Sequence, residues 1–377
     1  MQHNQNTGII FVQPPMSFTK DTPRAELQYC LGATLYMPGT KKVLDKLLGK
    51  GMADLGSMVM DFEDALRVED VPAAETNVLQ HLTALAKAQQ ADATLAERLP
   101  LIFLRVRSPR QFEDFARLLT PAQAAVLSGF VFPKFDSENA QAFFDVLIDT
   151  RTRLQCPLYG MPILEGTRIA YRETRMQELF ALKTILDAHR ELILNLRIGG
   201  TDFSALFGVR RGINHSIYDI LPVRDCLSDI LNVFNRSNDG YTLSAPVWES
   251  FLVNKKDSLE QVSARHIHQS LLNRVPIVNE VVDGLLREVL LDQANGFVGK
   301  TIIHPSHLKY VNAMQAITQE AFEDATQILN TDDGVVKGLN KMNEVRPHRH
   351  WAKRTLMRAR AYGVIESEAS YMKMLLK

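Results

Sequence analysis

The sequence lacks the marks of a dedicated binder of nucleic acid or of anionic membranes. Lys+Arg and Asp+Glu each number 43 in 377 residues, so the formal net charge is zero. Proteins that live on phosphate backbones carry a large basic excess. No apolar run approaches the roughly 18 residues of a membrane-spanning helix. Met1 to Thr7 is polar, and no apolar signal-peptide core follows it, so export is not expected. Cysteine is scarce: Cys30, Cys156 and Cys226 are far apart and odd in number, which fits a reducing cytosol better than a disulfide framework or a metal site. There is no G-x-S-x-G elbow and no phosphate-binding P-loop. Gly199-Gly200 and Gly208 do not match a dinucleotide-binding loop. His266 and His268 are two apart, and that spacing diverges on either a strand or a helix. With 46% hydrophobic and 23% charged residues, the chain reads as an ordinary cytoplasmic globular protein of one large domain or two smaller ones.

What is present is a rhythm. Short β-rich runs recur at Ala33–Met37, Ser57–Asp61, Leu101–Arg105, Gly129–Pro133, Leu158–Leu164, Leu192–Ile198, Thr242–Val247 and Lys300–His304. Most are continuous apolar runs, as expected of strands covered on both faces. Helical periodicity fills the gaps, for example Val43, Leu44, Leu47 and Leu48, or Phe143, Phe144, Leu147 and Ile148. Eight strands alternating with helices predict a (β/α)8 barrel; an open doubly wound sheet is the alternative, because periodicity does not report closure. The expected organisation is an N-terminal extension over 1–31, a barrel over 32–312 with an insertion at about 249–299, and a C-terminal helical lid with a basic tail over 313–377. From Lys341 onward nine Lys/Arg face three Asp/Glu. Such a run is more often a solvated helix face than a nucleic-acid site.

Active sites of such barrels lie at the C-terminal strand ends. The polar residues there are Asp61, Glu63 and Asp64 after the second strand, Arg105 and Arg107 at the third, and Lys134 after the fourth. Glu165 follows the fifth, Asp202 the sixth, and His304 ends the eighth. Glu165 and Asp202 are 37 residues apart, about one βα unit, so each falls at the mouth of an adjacent strand. Two hard oxygen ligands completed by water and substrate suit Mg2+; the alternative is that either acid caps the following helix. Arg210 and Arg211, eight and nine residues beyond Asp202, suit a carboxylate or phosphate, or else a surface ion pair.

Leu35-Tyr36-Met37-Pro38-Gly39, Met60-Asp61-Phe62-Glu63-Asp64-Ala65, Leu104-Arg105-Val106, Phe132-Pro133-Lys134, Gly200-Thr201-Asp202 and Gly296-Phe297-Val298-Gly299-Lys300-Thr301-Ile302-Ile303-His304-Pro305 follow one another in this order. Together they resemble the citrate lyase β-subunit-like branch of the HpcH/HpaI aldolase superfamily, over about residues 32 to 362. The resemblance implies a TIM barrel and a Mg2+-dependent carbon–carbon bond lyase, with Mn2+ as a substitute. It makes Glu165 and Asp202 the metal ligands, Arg105 the group that stabilises an enolate, and Asp61, Glu63 and Asp64 an acidic cluster that orients water and Arg105. Lys134 matches a strand-end lysine that contacts substrate. His304-Pro305 is read as closing the last βα turn. Lys341-Met342-Asn343-Glu344 resembles a lid motif whose acid, here Glu344, reaches a neighbouring subunit's site, which implies a homo-oligomer, a trimer or hexamer.

Two departures stand out. Gly32-Ala33 replaces a common Arg-Ser, which argues against a phosphorylated or CoA-linked substrate, and Gly166 intervenes between Glu165 and Thr167. The expected activity is cleavage or formation of a bond next to a carbonyl in a small 2-oxo or 2-hydroxy acid, with CoA use open. A thioester hydrolase on the same site and a non-catalytic metabolite-binding barrel are the alternatives. The expected partner is a small carboxylate, with no membrane and no nucleic acid.

Overall fold

Each of the expected β runs forms a strand, and the side chains along them alternate between two environments. The computed structural model describes the whole chain except residues 50, 53, 252–266, 276, 332–334, 338–341 and 377. The strands are β1 (Ala33–Pro38), β2 (Ser57–Asp61), β3 (Leu101–Arg105), β4 (Gly129–Phe132), β5 (Tyr159–Leu164), β6 (Leu196–Ile198), β7 (Leu243–Ser244) and β8 (Lys300–Ile302). All pair in parallel in the order β7-β6-β5-β4-β3-β2-β1-β8. A parallel bridge between Ala245 and Lys300 joins the two ends, so the sheet closes as a barrel and the open-sheet alternative falls away.

One set of strand residues, including Leu35, Met58, Met60, Ile102, Leu104, Phe130, Phe132, Leu164, Leu196, Leu243 and Ile302, packs outward against the helices. The other points inward. At the N-terminal end of the barrel that inner layer is apolar, with Val59, Leu101, Phe103, Val131, Met161, Leu194 and Val298 in one cluster. Toward the other end it becomes polar and ionic, with Thr34, Tyr36, Asp61, Arg105, Glu165 and Arg197. Period-two geometry forces this inner set to converge on the axis.

Residues 1–31 form no regular element beyond the short helix Arg24–Leu27. They seal the N-terminal end of the barrel: Met1, Phe18, Leu27 and Leu31 join the inner apolar cluster. His3 accompanies them, its Nε2 2.7 Å from the Cys30 carbonyl and its ring stacked on Tyr362. Gly32, at φ +55, is held there too, since a Cβ would lie 2.6 Å from Asn312 Oδ1. The Gly32-Ala33 departure is therefore a packing feature remote from the strand C-termini, and it does not argue against a CoA-linked substrate.

The insertion between β7 and β8 contains the helices Ile267–Leu272 and Glu280–Ala294, with His266 outside the described residues. After β8 the chain forms the helices Leu308–Gln315, Gln319–Asn330, Val345–Tyr362 and Ala369–Leu376, and a hairpin of Val335–Lys337 with Met342–Glu344. The C-terminal segment does not lie over the barrel mouth in its own chain. Arg354 bonds the Gly296 carbonyl and Asn235, and the Tyr362 hydroxyl donates to the Tyr29 carbonyl at 2.6 Å. These contacts fasten the helix Val345–Tyr362 to the end sealed by the N-terminal extension. The three cysteines are free thiols. Among the described residues no helix is long and apolar enough to cross a membrane.

Candidate active site

The polar end of the barrel opens into a cavity of about 380 Å³. It is lined by Tyr36, Asp61, Asp64, Arg105, Glu165, Arg197 and Asp202, together with Ile163, Val247, Thr301 and Ile303. A larger recess of about 720 Å³ lies against the N-terminal extension, between Met1, Phe18, Leu47 and Pro100. It is remote from the strand C-termini.

Asp61 ends β2 directly opposite Arg105 on β3. Arg105 gives Nε and Nη2 to the two Asp61 oxygens at 2.7 and 2.6 Å. The same carboxylate accepts the backbone N–H groups of Glu63 at 2.8 Å and Ala65 at 3.2 Å. Asp61 is only 1% exposed, and these bonds occupy it: it orients Arg105 and shapes the following turn. Arg105 Nη1 lies 3.0 Å from Glu63 and 3.7 Å from Asp64. Arg107 Nη1 donates to the Phe62 and Glu63 carbonyls and so braces the same turn.

Lys134 follows β4 in the left-handed region, at φ +47, a conformation that costs energy for a residue with a Cβ. That conformation directs its backbone N–H onto Glu165 Oε1 at 2.7 Å. Its ammonium bonds Glu63, lies 3.3 Å from Asp64 and 4.0 Å from Asp202. Burial holds the Glu63 carboxyl above its usual range, opposed by Arg105. At Asp64 burial works in the same direction but is outweighed by the hydrogen bond with Glu63 and the Lys134 and Arg105 charges, so its carboxyl lies below the usual range.

Glu165 ends β5 and is 3% exposed. Asp202 sits in the first turn of the helix Gly200–Leu206, which Gly199 precedes, so it is not the N-cap. Burial, then the Asp202 charge, pushes the Glu165 carboxyl well above its ordinary value. Gly199 makes room for this pair: a Cβ there would lie 2.5 Å from Glu165 Cβ and closer still to Oε2. Lys134 and Arg105 offset this only in part, since the Glu165 carboxyl stays raised, and two crowded carboxylates of this kind fit a hard divalent cation. No cluster of three His, Cys, Asp or Glu ligands occurs among the described residues. That donor set suits a cation that keeps water in its shell.

Other expected residues lie elsewhere. Arg211 is turned away from the cavity: Nη1 meets both Glu288 oxygens at 2.8 and 2.7 Å, and Nη2 donates to the Val247 carbonyl. Its side chain is 4% exposed, and a guanidinium so committed has no free edge for a ligand. Arg210 is exposed and does not line the cavity. Glu344 is the exposed last residue of the hairpin strand and does not line the cavity of its own chain, and Lys341 lies outside the described residues. His304 Nδ1 accepts from the Ser306 N–H and lies 2.7 Å from its hydroxyl, while its ring stacks on Phe251, a turn-closing role.

Among the cavity residues that escaped the sequence reading are Tyr36 and Arg197. The available signal was Arg197 itself, a charge inside the apolar run Leu192–Ile198, since arginine is almost never fully buried without a reason.

The family model described as C-C bond lyase of the TIM-barrel fold matches residues 25–364. Among solved structures, CitE from Mycobacterium tuberculosis in complex with magnesium, acetoacetate and coenzyme A is 19% identical. That match covers 88% of this chain and 99% of that one, with a TM-score of 0.52. RipC from Yersinia pestis is 16% identical over 76% of this chain and 95% of that one, with a TM-score of 0.47. The M. tuberculosis citrate lyase β subunit complexed with oxaloacetate and magnesium is 19% identical over 76% and 97%, with a TM-score of 0.45. No curated protein matches the sequence.

Proposed function

The chain belongs to the carbon–carbon bond lyases of the TIM-barrel fold, and on that premise we propose that it is a Mg2+-dependent lyase acting next to a carbonyl in a small 2-oxo or 2-hydroxy acid. The observation that carries this reading is the Glu165–Asp202 pair. Burial, and after it the Asp202 charge, raises the Glu165 carboxyl, which accepts the Lys134 backbone N–H. Glu165 and Asp202 would hold the cation, with water and substrate oxygens completing its shell. When bound, Mg2+ supplies Lewis-acid polarisation of the substrate's carboxylate and α-oxygen. Mn2+ would substitute.

The chain's own groups do the rest. Arg105 is fixed by Asp61 and Glu63, with its guanidinium lining the cavity, and it places positive charge where an enolate oxygen develops. Because its orientation is set before substrate arrives, little reorganisation is needed as the bond breaks. Lys134, held by Glu63 and Asp64, adds a second cation beside Asp202. Asp64, half-exposed at the rim and held ionised by its hydrogen bond with Glu63 and by Lys134 and Arg105, would order water beside the cation site. Glu344 would take part only from a second copy of the chain, in a homo-oligomer. The substrate is a small carboxylate, free or as a CoA thioester.

The test is product analysis together with metal titration. A lyase yields two carbon fragments, whereas a thioester hydrolase yields free acid with the carbon skeleton intact. Asp202→Asn should lose Mn2+ binding by calorimetry and nearly all turnover. Wild-type turnover by that variant in metal-depleted buffer would sink the proposal.

A further inference from the structure

Arg197 occupies the middle of β6, paired with Ile163 of β5, and is 1% exposed. A guanidinium stays charged at any physiological pH, so the barrel interior contains a permanent cation. The other arginines of the barrel interior and its surrounding helices meet carboxylates, Arg105 with Asp61, Arg175 with Asp229 and Arg211 with Glu288, whereas Arg358 of the C-terminal helix, outside the cavity lining, shares with Arg197 an Nε–H without an acceptor. Arg197 forms no ion pair with any described residue. Its Nη1 reaches the hydroxyls of Thr34 at 3.3 Å and Ser244 at 3.4 Å, and its Nη2 reaches that of Thr301 at 2.6 Å. Its Nε–H has no acceptor.

The ring of Tyr36 is shared with Arg105, the Arg197 and Arg105 guanidinium carbons lying 5.4 and 5.5 Å from its centroid. Burial and the nearby Arg105 lower the Arg197 pKa, opposed by Tyr36. A buried charge without a counter-ion is destabilising, and an orphaned buried donor adds to that. An anion in the space that the guanidinium lines would offset both costs. That space is the cavity whose rim holds Glu165 and Asp202.

We propose that Arg197 is the anchor for a second carboxylate of the substrate, at the floor of the cavity. This rests on the reading of the mouth given above and narrows it: the substrate is a 2-oxo or 2-hydroxy acid that carries a further carboxylate. Its reacting head lies between Glu165, Asp202 and Arg105. Its tail carboxylate takes the Nε–H edge of Arg197, a planar fork suited to carboxylate. The hydroxyls of Thr34, Ser244 and Thr301 fix that fork from three strands. Ile163, Val247 and Ile303 flank the short carbon chain between the two ends. The volume, about 380 Å³, is at the small end of ligand cavities.

The test compares (S)-malate with (S)-lactate, which share a 2-hydroxycarboxylate head and differ in the second carboxylate. Binding is measured by calorimetry with Mg2+ present, with no turnover required. Wild type should prefer malate by roughly 10- to 100-fold, the range for charge-assisted bonds in a dry site. Arg197→Met should erase that preference and leave lactate binding within about threefold, as expected when only the tail contact is lost. Equal affinity of wild type for the two acids overturns the proposal, and so does an undiminished preference in Arg197→Met. If Arg197→Met does not fold, Arg197→Lys serves: it keeps the charge but loses the fork, so an unchanged preference overturns the proposal and a reduced one supports it. Mn2+ titration separates this inference from the metal reading. Wild type that binds no Mn2+ yet shows an Arg197-dependent malate preference refutes the metal site alone. Normal Mn2+ binding without the preference refutes Arg197 alone.

Discussion

Gly199→Ala asks whether the Glu165–Asp202 pair depends on backbone room as well as on two acids. The added Cβ would lie 2.5 Å from Glu165 Cβ and 3.0 Å from Cδ, whereas carbon atoms pack at about 3.5–4.0 Å. A gap of about 1 Å must therefore open. Glu165 cannot avoid it by swinging its far end alone, because its Cβ is fixed to the chain just beyond the Leu164↔Ile198 pairing of β5 with β6. Either the strands part or the carboxylate is pushed off its position. Overpacking of this kind costs about 1–3 kcal/mol, which a urea titration resolves. Displacing a ligating group by about 1 Å lowers turnover roughly 100-fold. Mn2+ affinity, read by calorimetry, should fall with it. Gly166→Ala is the control, since no atom lies within 4 Å of a Cβ there and its backbone is extended; it should match wild type in stability and metal affinity. Gly199→Ala with wild-type Mn2+ affinity would refute the claim that this glycine shapes the site.

Three further outcomes are expected. Asp61→Asn should destabilise the protein by about 3 kcal/mol, the low end for a broken buried ion pair because Glu63 still holds Arg105, and should lower kcat roughly 100-fold or more as Arg105 loses its fixed orientation; urea unfolding and steady-state kinetics read the two effects. Arg211→Met should cost about 3 kcal/mol by leaving Glu288 without one of its cations and leave kcat per folded molecule unchanged, while Arg210→Ala should leave stability unchanged within about 0.5 kcal/mol; a kcat loss in Arg211→Met would return that arginine to the site. His3 has a folded pKa pushed down by burial to about 4 from 6.5, so the stability it contributes is complete above pH 6.5 and is lost as pH falls toward 4. Between pH 7 and 5 that loss is about 2 kcal/mol, and His3→Phe should shrink the acid-induced drop in urea stability by that amount; an identical drop in both proteins would refute the assignment.

The barrel was legible because its strands are marked twice, by apolar runs of strand length and by polar residues that fall at their C-terminal ends. Asp61, Arg105, Lys134, Glu165 and Asp202 were therefore placed at one mouth from chain position alone. What chain position does not contain is the direction of a side chain once it leaves regular structure. Arg210 and Arg211 follow the helix of Asp202 on an irregular segment. Their neighbourhood is set by Glu288, some 77 residues farther along the chain, and no local pattern announces that partner. The C-terminal segment shows the same limit at larger scale. Its amphipathic helices were evident, but which end of the barrel they cover depends on Tyr29, Asn235 and Gly296, three positions scattered over the sequence. Arg197 is the reverse case. Its strand was recognised, and the alternation within it sends the residue inward, so the position of a buried cation could have been deduced from parity alone.

The sealed end of the barrel also constrains how a ligand reaches Arg197. Met1, Phe18, Leu27 and Leu31 close the floor below the inner apolar cluster, which leaves the mouth as the route in. A dicarboxylate must then enter tail first and pass Arg105 and Asp202 before its far end meets the Nε–H of Arg197. The reacting head arrives last and stays at the rim, beside Glu165, Asp202 and Lys134. A fragment released from the head would therefore depart straight to solvent, while the fragment that keeps the tail carboxylate remains held at the floor. Substituents on the head should be tolerated and substituents next to the tail should not, because only the rim is open to bulk water. Product inhibition gives the decisive reading. The fragment bearing the second carboxylate should be the tighter inhibitor, and Arg197→Met should weaken it by at least roughly tenfold, the lower end for a charge-assisted bond. Equal inhibition by both fragments would mean that the order of entry argued from the sealed floor is wrong.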